Sequence, residues 1–283
     1  MFDMKRVIDS IEFEDFSALS KTLKTCVFNP FINYILPASL LKKVLRESKS
    51  NLMHESLRLP GSWQSMQICY DNPPAKDLID HLVLRLGSFP VALRNRKKLM
   101  VKTIAEHIHA HKHNERVVLV GIGSGNAINA MHGIKHAGVE HVEGYFIDRE
   151  SDAHTPGKHI AQSLKLHDKV KFIQGEAVDI HKFIPKKAHI FKLIGILEYL
   201  SDNDVKKILQ VGHKNLAAGG TVITHSIEPA HGIDPFLKRV FGLKLNYRSP
   251  WHIRQLLEES GFLIQDVKPE PLQVYHAVTA IKK

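Results

Sequence analysis

The sequence predicts an α/β fold: a doubly wound, mostly parallel sheet with an antiparallel C-terminal strand, preceded by an N-terminal helical cap. Three observations predict it. After Arg116, short apolar runs alternate with helical stretches, as the strands and crossover helices of a parallel sheet do. The first of those runs ends in a cluster of glycines. The last two follow one another with no helix between, so they pair antiparallel or do not pair at all.

Before Arg116 the pattern is helical. Helices are expected over 15–25 and 37–49, the second with Ser39 as a capping residue and leucines at 40, 41 and 45. Pro60-Gly61 and Asn72-Pro73-Pro74 break the pattern into turns, and Trp63, Met66 and Tyr70 fall in that turn-rich stretch. A third helix is expected over 75–86, stopped by Gly87, and a long one from Pro90 to His111. The division that follows is a cap over 1–114 and an α/β domain over 115–283.

In the second part, strands are expected over 117–120, 144–148, 170–174, 190–194 and 221–224. Helices are expected over 127–136, 156–164, 202–216 and 251–260, the last stopped by Gly261. The terminal strands are 262–267 and 274–281.

Composition narrows the function. The 43% hydrophobic and 24% charged content over 283 residues is that of an ordinary globular chain with a sizeable core. The longest membrane-span candidate, 31–41, is interrupted by Asn33, Pro37 and Ser39, and is too short for the roughly 20 residues a span requires. The charged start, Met1-Phe2-Asp3-Met4-Lys5-Arg6, lacks an apolar signal region. Cys26 and Cys69 show neither metal nor redox spacing, so a reduced, cytoplasmic protein is expected. The net charge of +10 divides evenly, +5 on residues 1–115 and +5 on the remainder. Nucleic-acid binding favours a clustered patch, so it is not the expected role. The densest basic run, Arg94-Asn95-Arg96-Lys97-Lys98, reads as a solvated helix face or as a phosphate-binding group.

The strongest chemical signal is Val117-Val118-Leu119-Val120-Gly121-Ile122-Gly123-Ser124-Gly125-Asn126. A strand running into glycines turns sharply and lets the backbone approach a ligand, with the next helix N-terminus beyond it. A dinucleotide-binding G-x-G-x-x-G would place glycine where this chain has Asn126. Asp148 closes the second strand, where an acidic side chain accepts from ribose hydroxyls in nucleotide-binding α/β folds. Glu176, after the third strand, either accepts from an exocyclic amine or is a solvated loop residue.

Gly121-Ile-Gly-Ser-Gly125, Asp148, Gly175-Glu-Ala177, Leu216-Ala-Ala-Gly-Gly220 and Gln255-Leu-Leu-Glu-Glu-Ser-Gly-Phe262, taken in order, resemble the successive motifs of the class I S-adenosylmethionine-dependent methyltransferases, whose fold is Rossmann-like. The resemblance covers about 116–283. It implies S-adenosyl-L-methionine as cofactor, with Gly121, Gly123, Ser124 and Gly125 under its methionine part, Asp148 at the ribose and Arg149 among the cofactor contacts. It further implies that Glu176 and Ala177 edge the adenine, and that Ile194 to Tyr199, Gly195 among them, lie where the fourth strand opens toward the methyl group. Leu59 to Met66, with Arg94-Asn-Arg96, is similar to a group of bacterial methyltransferases of unassigned substrate. No Asn-Pro-Pro-Tyr-like segment follows the fourth strand, which counts against methylation of base amino groups.

Arg96 is either a bidentate partner for the cofactor carboxylate or one more exposed charge. Trp63, Tyr70 and Tyr199 are candidate acceptor contacts; core packing competes for Trp63 and Tyr70. His225 or His231 is either a general base or a polar loop residue. His107, His109, His111 and His113 form i, i+4 pairs of metal-ligand type, but they end a helix, where imidazolium interacts with the dipole, and no metal is expected. A small-molecule or lipid-like acceptor leads. An RNA or protein methyltransferase, a NAD-dependent oxidoreductase, and a non-catalytic cofactor-binding protein are the alternatives.

Overall fold

The computed structural model describes residues 9–283; the charged start, Met1 to Arg6, lies outside them. Among the described residues six α-helices come first: α1 (Ala18–Leu23), α2 (Ala38–Glu47), α3 (Asn51–Arg58), α4 (Trp63–Asp71), α5 (Leu78–Leu86) and α6 (Ser88–Ala110), with π-helical turns Lys24–Phe28 and Phe31–Ile35 between the first two. Then follow β1 (Val117–Ile122), α7 (Ile128–Ala137), β2 (Val142–Asp148), α8 (His154–Ser163), β3 (Val170–Gln174), α9 (Ile180–Phe183), β4 (Ala188–Leu193), α10 (Asp202–Asn215) and β5 (Leu216–Ile227). The chain ends with α11 (Asp234–Phe236, continued by a π-helical turn, Leu237–Phe241), α12 (Pro250–Glu259), β6 (Phe262–Pro269) and β7 (Tyr275–Lys282).

The seven strands form one sheet in the order β3-β2-β1-β4-β5-β7-β6. All neighbours are parallel except β7, which runs antiparallel to both β5 and β6. The expected pairing of the two terminal strands is therefore present, and both faces of the sheet are covered. One face packs on α6, α7 and α8 through Met100, Ile104, Met131 and Ala161; the other packs on α9, α10 and α12 through Ile180, Leu209 and Leu257. The strand order reverses between β1 and β4, the switch point at which open α/β sheets bind ligands outside the carboxyl ends of their strands.

The N-terminal helices have their own apolar cluster. Leu45, Leu52, Met53, Cys69, Leu84 and Leu93 pack on Ile227, Val274 and Tyr275, at the β5 and β7 ends of the sheet. The cap thus sits over the carboxyl end of β5.

Three local readings change. Residues 63–71 are a helix rather than turns: Ser62 accepts from Ser65 N–H as its N-cap, and Asn72 ends it in the left-handed region at φ +45°. Trp63, Met66 and Tyr70 are then i, i+3 and i+7, on one helix face. Second, α2 begins after Pro37, and Ser39 lies inside it without capping. Third, the run 94–98 is not a solvated face. Arg94 and Arg96 are 4% and 2% exposed, because α6 is buried on several sides where it passes from cap to sheet.

Candidate functional site

Beyond the carboxyl ends of β1, β2 and β4 lies a cavity of about 340 Å³. Its floor is the turn between β1 and α7. Gly123 and Gly125 take φ of +58° and +52°, a region L side chains avoid. A Cβ on Gly123 would stand 2.5 Å from Ile196 Cδ1, so glycine is also required by packing. The loop is fixed by its own backbone, Ala127 N–H donating to Ser124 O at 2.8 Å, and by Asp148. Asp148 Oδ2 accepts from Gly125 N–H at 2.7 Å and Oδ1 from Glu150 N–H at 3.2 Å.

The roof comes from the cap. Trp63 Nε1 donates to Asp152 Oδ2 at 2.6 Å, and Asn126 Nδ2 donates to Gln67 Oε1 at 2.7 Å. These two clasps hold α4 over the glycine turn and the loop after β2.

The structure brings Gly123, Ser124, Gly125, Asp148, Gly195, Arg96, Trp63, Tyr70 and Tyr199 to the wall of this one cavity. Gly121 lies just beneath, inside β1, where a Cβ would meet Ser124 Oγ at 2.3 Å. Arg149 and Glu176 form an exposed salt bridge at 2.9 Å beyond the ends of β2 and β3, with Ala177 starting the next helical turn. These three are not on the cavity wall.

His225 is not on the wall either. It lies behind Gly195, 1% exposed, with Nε2 accepting from Gly195 N–H at 3.0 Å and Nδ1 3.1 Å from the Ser226 carbonyl. Burial pushes its pKa down to about 4, against the pull of Glu198, so the ring is neutral with its proton on Nδ1. His231 packs beside Phe16, and its carbonyl accepts from Asn29. At the end of α6, burial lowers the pKa of His107, His109 Nδ1 lies 3.4 Å from Ala137 O, and the His111 ring packs on His189 at 5.4 Å. Among the described residues no group of three or more His, Cys, Asp or Glu has the geometry to hold a metal ion.

Arg96 is engaged on several sides. Its guanidinium donates to Glu198 Oε1 at 3.2 Å and Tyr70 Oη at 2.8 Å, and its Cζ lies 4.9 Å from the Tyr275 ring centroid. Nε has no partner.

Sequence reading missed Lys192. It stands in β4 beside Gly121, is 2% exposed and reaches the cavity wall. Its Nζ makes no hydrogen bond or salt bridge among the described residues and opens onto the cavity. Burial pushes its pKa down to about 8, with Asp148 opposing and Arg96 assisting the shift. The signal was a lysine inside the apolar strand run Ile190-Phe191-Lys192-Leu193-Ile194. Ser124 Oγ and Asn129 Oδ1 also line the cavity and lack partners. The site is therefore a polar cavity with a glycine floor, an acceptor pair on Asp148 and an unpaired cation.

No protein-family model and no curated protein sequence matches the chain. Solved structures do. A possible exported protein from Bordetella parapertussis is 15% identical with a TM-score of 0.71, covering 95% of this chain and 97% of that one. Magnesium protoporphyrin IX methyltransferase from Synechocystis PCC 6803, solved with bound SAH, is 11% identical with a TM-score of 0.58, covering 86% of this chain and 99% of that one. An O-methyltransferase family protein from Burkholderia thailandensis is 13% identical with a TM-score of 0.54, covering 82% and 71%. Strand order, glycine turn and these likenesses agree: the chain has the Rossmann-like fold of the class I S-adenosylmethionine-dependent methyltransferases.

Proposed function

We propose that the chain is an S-adenosylmethionine-dependent methyltransferase acting on a small-molecule acceptor held beneath the helical cap. The observation that carries the reading is the meeting, in one cavity at the switch point, of the glycine turn, the Asp148 carboxylate and the unpaired Lys192. These groups fit the cofactor's three parts. The turn 121–125 has no side chain to keep the methionine portion away, Asp148 retains acceptor capacity for ribose hydroxyls, and Lys192 supplies the charge for the carboxylate. Arg96 is a second cation on the same wall, already held by Glu198 and Tyr70. Glu176 and Ala177 are assigned to the adenine edge, and Arg149, paired with Glu176, is a further cofactor contact.

When bound, S-adenosylmethionine supplies a methyl group already activated on sulfur. The chain's own task is then alignment and exclusion of water, which supplies several powers of ten in rate without a covalent intermediate. The α4 clasps, Trp63 to Asp152 and Gln67 to Asn126, serve that task by fixing the roof. In this reading 1–114 are the cap and 115–283 the cofactor domain, with α6 common to both. Its place is the cytoplasm, supported by two unpaired cysteines; among the described residues no helix is long and apolar enough to cross a membrane.

Calorimetric titration with S-adenosylmethionine, S-adenosylhomocysteine and NAD tests it. Binding of the first two and not the third is expected. Heat from NAD alone would overturn the reading in favour of an oxidoreductase.

A further inference from the structure

Next to the polar cavity lies a larger one of about 630 Å³, between the N-terminal helices and the segment 233–243. The two share Gly61 and Met66, so one residue layer separates them. At that layer there is no side chain to spare: Gly61 has φ +74°, and a Cβ on it would stand 2.5 Å from the Tyr199 hydroxyl. Tyr199 itself lines the polar cavity.

The lining of the larger cavity is of a different kind. Leu52 and Met53 from α3, Cys69 from α4, Leu93 from α6 and Phe236 from α11 face it, and among the described residues no Asp, Glu, Arg or His does. Among the described residues its one charged wall residue is Lys24, whose Nζ donates to the Leu86 carbonyl. Among the other polar wall groups, Asn29 donates to His231 O and Ser65 Oγ to Ser62 O. Among the described residues Lys24 has no carboxylate partner and the Ser56 hydroxyl no hydrogen bond, but most of the lining is apolar and suits an apolar chain. Leu19, Leu82 and Leu86, on the far wall, are 70%, 44% and 43% exposed, which marks an apolar way in from solvent.

We propose that this larger cavity binds the methyl acceptor, and that this acceptor is a molecule with an apolar tail. The tail lies among Leu52, Met53, Leu93 and Phe236, and the nucleophilic end reaches the polar cavity past Gly61 and Met66. This rests on the methyltransferase reading for the name "acceptor"; the apolar binding site stands on the cavity itself.

The test uses the full chain and two independent titrations. Unbranched 1-alkanols from butanol to dodecanol compete with the fluorescent probe 1-anilinonaphthalene-8-sulfonate, while S-adenosylhomocysteine is titrated by calorimetry. Alkanol affinity is expected to rise about fourfold per methylene, as burial at about 0.8 kcal/mol per CH₂ requires, until the tail fills the cavity. Ser56→Trp puts an indole into the cavity from α3, at a side chain that makes no hydrogen bond. It is expected to weaken the longer alkanols at least tenfold and leave S-adenosylhomocysteine within twofold. No chain-length dependence, or one that Ser56→Trp leaves intact, overturns the proposal. Should that variant fail to fold, the chain-length series on the native protein decides alone. Absence of S-adenosylhomocysteine binding beside normal alkanol binding would instead overturn the methyltransferase reading.

Discussion

The backbone N–H of Gly125 donates to Asp148 Oδ2 at 2.7 Å, so the carboxylate at the end of β2 also holds the glycine turn at the end of β1. One side chain thereby shapes the floor of the cavity and faces the place assigned to the ribose. The two duties are separable by substitution.

Asp148→Ala removes both and is expected to weaken S-adenosylhomocysteine binding by about 1.5–3 kcal/mol, the range for hydrogen bonds to a charged group. Asp148→Asn keeps an oxygen for Gly125 N–H and is expected to recover part of the loss. Calorimetry on the two variants measures it. Unchanged affinity in Asp148→Ala would move the ribose contact elsewhere, with Glu150 and Asp152 on the same wall as the next candidates.

Lys192→Met is expected to weaken cofactor binding about tenfold or more near neutral pH, by loss of a charge-assisted contact to the carboxylate. 5′-Methylthioadenosine, which lacks the carboxylate, should bind both proteins alike. The pH dependence has a definite sign. With a folded pKa of about 8, against 10.5 for an ordinary lysine, the ammonium is present below pH 8 and the Lys192-dependent part of the affinity fades above it. Stability of the free protein moves the other way. Between about pH 8 and 10.5 the unfolded chain holds more protons, so the contribution of this group to stability rises with pH across that window. Removing the buried cation should raise the melting temperature at neutral pH while binding falls. Calorimetry at pH 6.5 and 9.5, with native protein and variant compared at each, checks the first claim. An affinity gap that widens at high pH would sink it.

How much of this was legible in the sequence differs between the two parts of the chain. Buried parallel strands are near-continuous apolar runs, so 117–120 and 144–148 stood out, and the glycines and Asp148 marked their carboxyl ends. The cap was less readable. Trp63, Met66 and Tyr70 have helical spacing, but Gln64, Ser65 and Gln67 between them and proline-containing turns on both sides mask the period. Arg94 and Arg96 looked solvated because their partners are remote in sequence. Arg94 is met by Glu14, 80 residues earlier, and Arg96 by Glu198, 102 residues later. Lys192 was hidden in a run read for its apolar neighbours.

The Arg96–Glu198 pair ties α6 to the loop after β4 with side chains only 3% and 2% exposed. Arg96→Leu leaves the Glu198 carboxylate buried beside the neutral His225 ring, and a loss of about 3–5 kcal/mol of stability is expected. Arg96→Leu with Glu198→Gln should recover part of it, because no bare charge remains. Urea unfolding of native, single and double variants provides the comparison. A double variant no more stable than Arg96→Leu would mean that the Tyr70 and Tyr275 contacts, rather than the ion pair, carry the effect.

A chain beginning at Lys112 is expected not to fold, although it retains every strand and all the assigned cofactor residues except Arg96. The reason is α6. Leu99, Met100, Ile104, Ala105 and Ile108 belong to the same buried cluster as Val117 and Leu119 of β1 and Met131 of α7. Packing there is close enough that Gly133 could carry no Cβ, which would stand 2.5 Å from Ile104 Cγ2. Truncating one buried Leu, Ile or Met to Ala costs about 2–5 kcal/mol, and a domain has only about 5–15 kcal/mol in total. Losing the whole helix therefore exceeds what the sheet can bear. A chain beginning at Ser88 keeps α6 and should form the sheet, yet it lacks Trp63 and Gln67 and bares Ile227 and Tyr275. Weaker S-adenosylhomocysteine binding than in the full chain is expected of it. Circular dichroism, thermal unfolding and calorimetry on both fragments separate the cases. Cooperative unfolding and native affinity in the Lys112 fragment would show that α6 is dispensable to the cofactor domain.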